Sequence, residues 1–108
     1  MTNIAFVGTG YVADYYMTTL QNYPELTLKG VWDRDPKRLR QFCAFYAVEP
    51  YNGLEDLLHD STIDIVVNLT TPESHFTVNR PALNAGKHVY CEKPPAPPVE
   101  RSEERRRG

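Results

Sequence analysis

Short apolar runs alternate along this chain with stretches whose apolar positions recur every third or fourth residue. The runs read as buried strands and the periodic stretches as amphipathic helices. The first strand, Ile4-Ala5-Phe6-Val7, leads directly into Gly8-Thr9-Gly10. Ala13, Met17 and Leu20 then lie on one stripe, which predicts a helix over residues 11–22, ended by the loop at Pro24. A second strand is predicted over 26–33. Asp35-Pro36 reads as a helix cap followed by proline at the first helical position. The helix it opens, over 36–47, places Leu39, Phe42, Cys43 and Tyr46 at i, i+3, i+4 and i+7. Residues 48–51 read as a short edge strand, where a proline is tolerated.

After the turn at Asn52-Gly53, Leu54, Leu57 and Leu58 predict a brief helix. Residues 63–70 form the most hydrophobic run of the chain. A near-continuous apolar run is a strand covered on both faces, hence central in a parallel sheet. Thr71-Pro72 again reads as cap and first helical position. The helix beyond it contains Pro81, which removes a backbone donor and predicts a kink or a split. Ala85-Gly86 ends that helix, and His88-Val89-Tyr90-Cys91 is the fifth predicted strand. Strand and helix alternating in this order specify α/β architecture, a doubly wound parallel sheet of Rossmann type joined by right-handed crossovers.

Composition narrows the field. With 108 residues the chain holds one folded domain, assigned to residues 1–94, and its 41% hydrophobic content is ordinary for a soluble protein. A net charge of −2 gives no pull toward nucleic acid or membrane. No apolar run reaches the ~20 residues a membrane span needs. The first residues carry no basic stretch of a secretory leader. Cys43 and Cys91 are far apart and read as buried free thiols, consistent with a reducing cytoplasm. The histidines and cysteines show no metal-ligand spacing, so no metal is expected. The sequon Asn68-Leu69-Thr70 lies inside a strand pattern and is discounted. Residues 95–108 are rich in proline, arginine and glutamate and are expected to be polyproline-like or disordered.

The chemistry concentrates at Gly8-Thr9-Gly10-Tyr11-Val12-Ala13. A strand that runs through G-x-G-x-x-A into a helix is the shape of a phosphate-binding turn. Gly8 permits the tight exit, Gly10 removes a side chain that would block a pyrophosphate, and Ala13 lets helix and strand pack closely. Free amides and the positive dipole end of the helix attract the anion. Asp33 closes the second strand at roughly the spacing, about 20 residues on, of a carboxylate that accepts ribose hydroxyls. The competing reading is an ordinary glycine turn with Asp33 at a solvated strand end.

Four stretches carry a specific resemblance. Ala85-Gly86-Lys87-His88-Val89-Tyr90-Cys91-Glu92-Lys93-Pro94 resembles the A-G-K-H-V-x-x-E-K-P signature of the glucose–fructose oxidoreductase/inositol dehydrogenase/rhizopine-catabolism (Gfo/Idh/MocA) family. The turn at Gly8–Ala13, the run Val31-Trp32-Asp33-Arg34-Asp35-Pro36-Lys37-Arg38, and Thr71-Pro72-Glu73-Ser74-His75 are similar to that family's motifs in the same order. The resemblance implies a nicotinamide-dependent oxidoreductase acting on sugars, cyclitols and related hydroxylated compounds. It implies Lys93 as the catalytic lysine that orients the reacting hydroxyl and takes part in proton transfer, with Glu92 and Pro94 shaping its turn. A surface lysine at a strand end is the plain alternative. Cofactor contacts are implied for Gly8, Thr9, Gly10, Tyr11, Val12, Asp33, Arg34, Arg38, Thr70, Thr71, Pro72, His75, Glu92 and Lys93. Thr70, Thr71 and Pro72 also suit simple helix capping, and His75 also suits a packed or surface role.

Asp33 favours NAD, because a carboxylate repels the 2′-phosphate of NADP; Arg34 beside it keeps NADP as the alternative. In the family an α+β substrate domain follows. Here the pattern changes directly after Pro94, so a truncated or out-of-frame end is expected, with that domain, its catalytic aspartate and histidine, and the usual homo-oligomer contacts absent. A dinucleotide-binding module without turnover is therefore the second expectation. An S-adenosylmethionine methyltransferase is a third, disfavoured because no acidic residue precedes Gly8 and the E-K-P run has no place in it.

Overall fold

The computed structural model describes residues 2–70 and 75–91, with the side chains of residues 75 and 76 outside that set. The described chain runs β1 (Thr2–Val7), α1 (Tyr11–Leu20), β2 (Leu26–Trp32), α2 (Pro36–Tyr46), α3 (Leu54–Leu58), β3 (Ile65–Asn68), α4 (His75–Asn84) and β4 (His88–Cys91). Its strands form one parallel sheet in the order β2-β1-β3-β4. The chain winds outward from β1 to β2, then returns to β3 on the other side.

Alternation along β1 splits the core in two. Ile4 and Phe6 face α1 and α2, packing with Ala13, Val31, Phe42 and Val67. Ala5 and Val7 face the opposite way, against Leu57, Leu58, Ile63, Val66, Val78 and Ala82 from the α3–α4 side. Central strands covered on both faces explain why β1 and β3 read as unbroken apolar runs. Asp35 caps α2 as expected, accepting from the Lys37 and Arg38 amides at 3.1 and 3.3 Å, with Pro36 in the first turn.

Three expectations need correction. Residues 48–51 form no strand; only an isolated parallel bridge joins Val31 to Pro50. Val31 donates to the Glu49 carbonyl and accepts from the Tyr51 amide, and the pairing goes no further than this single bridge. Pro81 does not split its helix: α4 is continuous from His75 to Asn84. The Pro81 carbonyl still receives the Ala85 amide at 3.0 Å, and buried Val78 and Ala82 hold the turn against the sheet. The thiols are free as expected, but both are half-buried rather than buried. Burial and then the Glu49 carboxylate raise the Cys43 thiol above its ordinary value.

The amino edge of the sheet carries a polar knot. Asp60 accepts the Thr62 hydroxyl at 2.6 Å, the Thr62 amide at 3.0 Å and the Tyr51 hydroxyl at 2.7 Å, and it pairs with Lys29 at 3.3 Å. The β1–β2 register shifts between Ile4 and Ala5, leaving Lys29 as the extra residue. Gly30 follows it because a Cβ there would fall 2.6 Å from the Tyr51 ring. Buried Lys87 donates to the Asp60 and Ile63 carbonyls at 2.6 and 3.0 Å, tying β4 to the loop before β3. Hydrogen bonds from Thr62, then from Tyr51, hold the Asp60 carboxyl well below the usual carboxylate range. Burial, then the bond to Asp60, pushes the Tyr51 hydroxyl well above its ordinary value.

Candidate dinucleotide site

Ligands of open parallel sheets bind at the carboxyl ends of the strands, where the winding changes direction. Here that point lies between β1 and β3, and Gly8 stands on it. Its amide donates to the Trp32 carbonyl at 2.8 Å, while the neighbouring Leu69 amide donates to Val7 at 2.8 Å. Gly8 has φ +103, and a Cβ would meet the Leu69 carbonyl carbon and oxygen at 2.9 Å and the Thr70 nitrogen at 3.2 Å. Glycine is therefore required twice, by backbone conformation and by contact with the loop after β3. Gly10 is the N-cap of α1 and supplies no capping side chain to the first-turn amides. Those amides and the helix dipole suit a diphosphate. A Cβ on Gly10 would come within 3.1 Å of the Arg38 guanidinium, the flexible end of a side chain.

Asp33 and Thr9 are bound to each other. Thr9 donates both its amide and its hydroxyl to Asp33 Oδ2, at 2.8 and 2.9 Å. The Asp35 amide donates to Asp33 Oδ1 at 2.8 Å, and Arg38 Nε stands 3.5 Å from Oδ2. Arg38 also reaches Asp35 at 3.8 Å. The carboxylate thus joins the first turn of the chain to the start of α2, and a ribose hydroxyl would have to compete with these donors. Arg34 is exposed beside it.

A second set of residues at the same edge escaped sequence reasoning. Asn68, the last residue of β3, is fully buried. Its Oδ1 accepts the Thr70 amide at 3.1 Å and the Thr70 hydroxyl at 2.5 Å, shaping the loop that Gly8 packs against. Its Nδ2 donates to Asn79 Oδ1 on α4 at 2.7 Å. The Cys91 thiol donates to that same Asn79 oxygen at 3.0 Å. The only prior signal was a polar residue closing an apolar strand, which read as a sequon to be discounted.

Of the remaining expected contacts, Tyr11 and Val12 occupy the first turn of α1 with exposed side chains. Thr70 is half-buried at the edge. His75 begins α4, but its side chain is outside the described set. Thr71, Pro72, Glu92, Lys93 and Pro94 lie outside the described residues, as does the segment 95–108. Among the described residues no group of three or more His, Cys, Asp or Glu is placed to hold a metal, and no helix is long and apolar enough to cross a membrane. An apolar groove of about 350 Å³, lined by Met17, Thr18, Leu20, Gln21 and Tyr46, lies at the far end of α1 from Gly10.

Residues 2–106 match the oxidoreductase family with an NAD-binding Rossmann fold, GFO_IDH_MocA. An uncharacterized oxidoreductase of Schizosaccharomyces pombe is 38% identical over 99 residues, covering 86% of this chain and 26% of that protein. Inositol 2-dehydrogenase of Salmonella typhimurium is 33% identical over 91 residues, covering 82% of this chain and 27% of its own length. The crystal structure of an NAD-binding protein from Listeria innocua superposes with a TM-score of 0.79 at 33% identity, covering 86% of this chain and 27% of that one. The chain spans about a quarter of the length of these relatives. The phosphate turn, the parallel sheet wound about it and this match agree: the chain belongs to the Gfo/Idh/MocA oxidoreductase family and carries its NAD-binding Rossmann fold.

Proposed function

We propose that this chain supplies the dinucleotide half of an oxidoreductase that moves a hydride between NAD and a sugar, a cyclitol or a related hydroxylated compound. One observation carries the reading. Gly8 is pressed against the β3 loop at the switch point of the sheet, and the uncapped start of α1 follows directly. The amides of residues 10–12 would receive the diphosphate, the Thr9 amide being already bonded to Asp33. Asp33 would take the ribose hydroxyls as the Thr9 hydroxyl and Arg38 give way, and its charge favours NAD over NADP. Arg34 and Arg38 are the groups that would accept a 2′-phosphate if NADP is used. Thr70, Thr71, Pro72 and His75 would border the nicotinamide side.

The nicotinamide, when bound, accepts or returns the hydride. Lys93 is the catalytic residue of this reading: its ammonium holds the oxygen of the reacting carbon and shares its proton as charge develops. Glu92 would help place it. The cyclitol assignment rests on similarity to inositol 2-dehydrogenase, and the reaction also needs pocket walls that the described residues do not include. Titration of the purified chain with NADH and NADPH, followed by a turnover screen over polyols, tests the proposal. Saturable NADH binding with oxidation of a polyol supports it in full. Saturable binding with no turnover on any polyol favours a binding module, a reading supported by the quarter-length match. Binding of neither dinucleotide overturns both.

A further inference from the structure

Asn79 sits on the packing face of α4, between buried Val78 and Ala82, where an apolar side chain would ordinarily serve. A half-buried amide there costs stability unless it is hydrogen-bonded. Its Oδ1 is bonded twice, to donors on two different strands: Asn68 Nδ2 at 2.7 Å and the Cys91 thiol at 3.0 Å. Asn68 and Cys91 are direct register partners and the last residues of β3 and β4. One oxygen atom on the helix therefore fixes both strand ends at the carboxyl edge.

What those ends carry gives the contact its meaning. Asn68 holds Thr70 through its other oxygen-side bonds, and Gly8 packs on Leu69 and Thr70. Cys91 stands two residues before Lys93. A dinucleotide that spans the switch point lays its adenosine half toward Asp33 on the β2 side and its nicotinamide half toward β3 and β4. The Asn79 link lies wholly on the second side.

We infer that Asn79 is a positioning residue for the nicotinamide half of the site, clamping the ends of β3 and β4 through Asn68 and Cys91. The inference rests on the dinucleotide reading above and adds a residue to it. Asn79→Ala leaves the Asn68 amide and the Cys91 thiol without their shared acceptor. NADH affinity then falls about tenfold, while ADP-ribose, which lacks the nicotinamide, keeps its affinity within about twofold. Asn79→Asp retains an acceptor oxygen at the same place and recovers NADH binding to within about threefold of the native chain.

The test is paired titration of the native 108-residue chain and both variants with NADH, read by nicotinamide fluorescence, and with ADP-ribose, read by calorimetry. Selective loss of NADH affinity in Asn79→Ala with recovery in Asn79→Asp supports the clamp. Equal loss of both ligands, loss of neither, or an Asn79→Asp variant no better than Asn79→Ala overturns it. If Asn79→Ala does not fold, Cys91→Ala removes one donor only and carries the same selective loss at about threefold; equal or absent loss there overturns the clamp as well. A native chain that binds neither ligand would remove the dinucleotide reading, and the clamp with it.

Discussion

Asp33 and Asp60 are held in nearly the same way at opposite edges of one sheet. Each accepts the amide and hydroxyl of a single threonine, Thr9 or Thr62, and each pairs with a cation, Arg38 or Lys29. Their surroundings differ. The partners of Asp33 belong to the glycine turn and to the first turn of α2, both at the edge where α/β sheets bind ligands. The partners of Asp60 belong to its own loop, to a bulge in β2 and to a tyrosine laid across Gly30. Saturation with donors marks a carboxylate that the fold uses; only its position distinguishes one that a ligand can also use.

The largest effect that separates the edges is expected at Gly8. Gly8→Ala places a Cβ 2.9 Å from the Leu69 backbone at a φ of +103. Strain and overpacking together cost about 3 kcal/mol or more, visible as a lower urea midpoint. Whatever fraction folds should show no saturable NADH binding, because the turn must move to admit the new atom. An alanine variant of unchanged midpoint would mean that the turn and the β3 loop do not touch as described.

The two carboxylates themselves come next. Asp60→Asn weakens four donor contacts away from the candidate site and should cost about 2 kcal/mol in urea unfolding while leaving NADH affinity unchanged. Asp33→Asn should lower NADH affinity about tenfold, because a neutral amide is a poor acceptor for both ribose hydroxyls. If both variants lose stability and affinity in the same proportion, the distinction between the edges fails.

Acid and base sharpen the same contrast at smaller amplitude. Asp60 is depressed in the folded chain, so the unfolded chain takes up its proton first. Its contribution is complete above the ordinary carboxylate value near pH 4 and is lost as pH falls below it. Tyr51 is raised, so its contribution is complete below about pH 10 and is lost as pH rises further. Urea titrations across pH 2 to 11 should show both limbs in the native chain, each flatter in Asp60→Asn. Limbs of unchanged slope in that variant would show that other groups carry the dependence.

Much of this was legible because the demands are local. The alternation of strand and helix, the Asp35-Pro36 cap, the glycine turn and the central strand each follow from neighbouring residues. What was not legible depends on distant partners. Nothing near Asn68 announces Asn79, eleven positions away on a helix, or Cys91 on the next strand. Asp33 read as open to a ribose because its donor Thr9 lies 24 positions upstream. Residues 48–51 were a matter of degree: the neighbours of Pro50 bond to Val31 as a strand would, but the pairing stops at that one bridge.

The smallest expected effect on stability divides the two glycines of the motif. Gly8 faces backbone, which cannot yield, whereas Gly10 faces the guanidinium of Arg38, whose side chain is half exposed. Gly10→Ala should therefore cost at most about 1 kcal/mol, from a poorer N-cap and the displaced arginine. It should still weaken NADH binding clearly, since the proposed diphosphate approaches the backbone of this turn closely and a methyl would intrude on that approach. Repeating the substitution in an Arg38→Ala background isolates the two causes. There the part of the stability cost that comes from displacing the guanidinium should vanish while the loss of affinity persists. An affinity loss that vanished with the arginine would instead mean that Gly10 serves only to make room for Arg38, and that the phosphate turn does not require it.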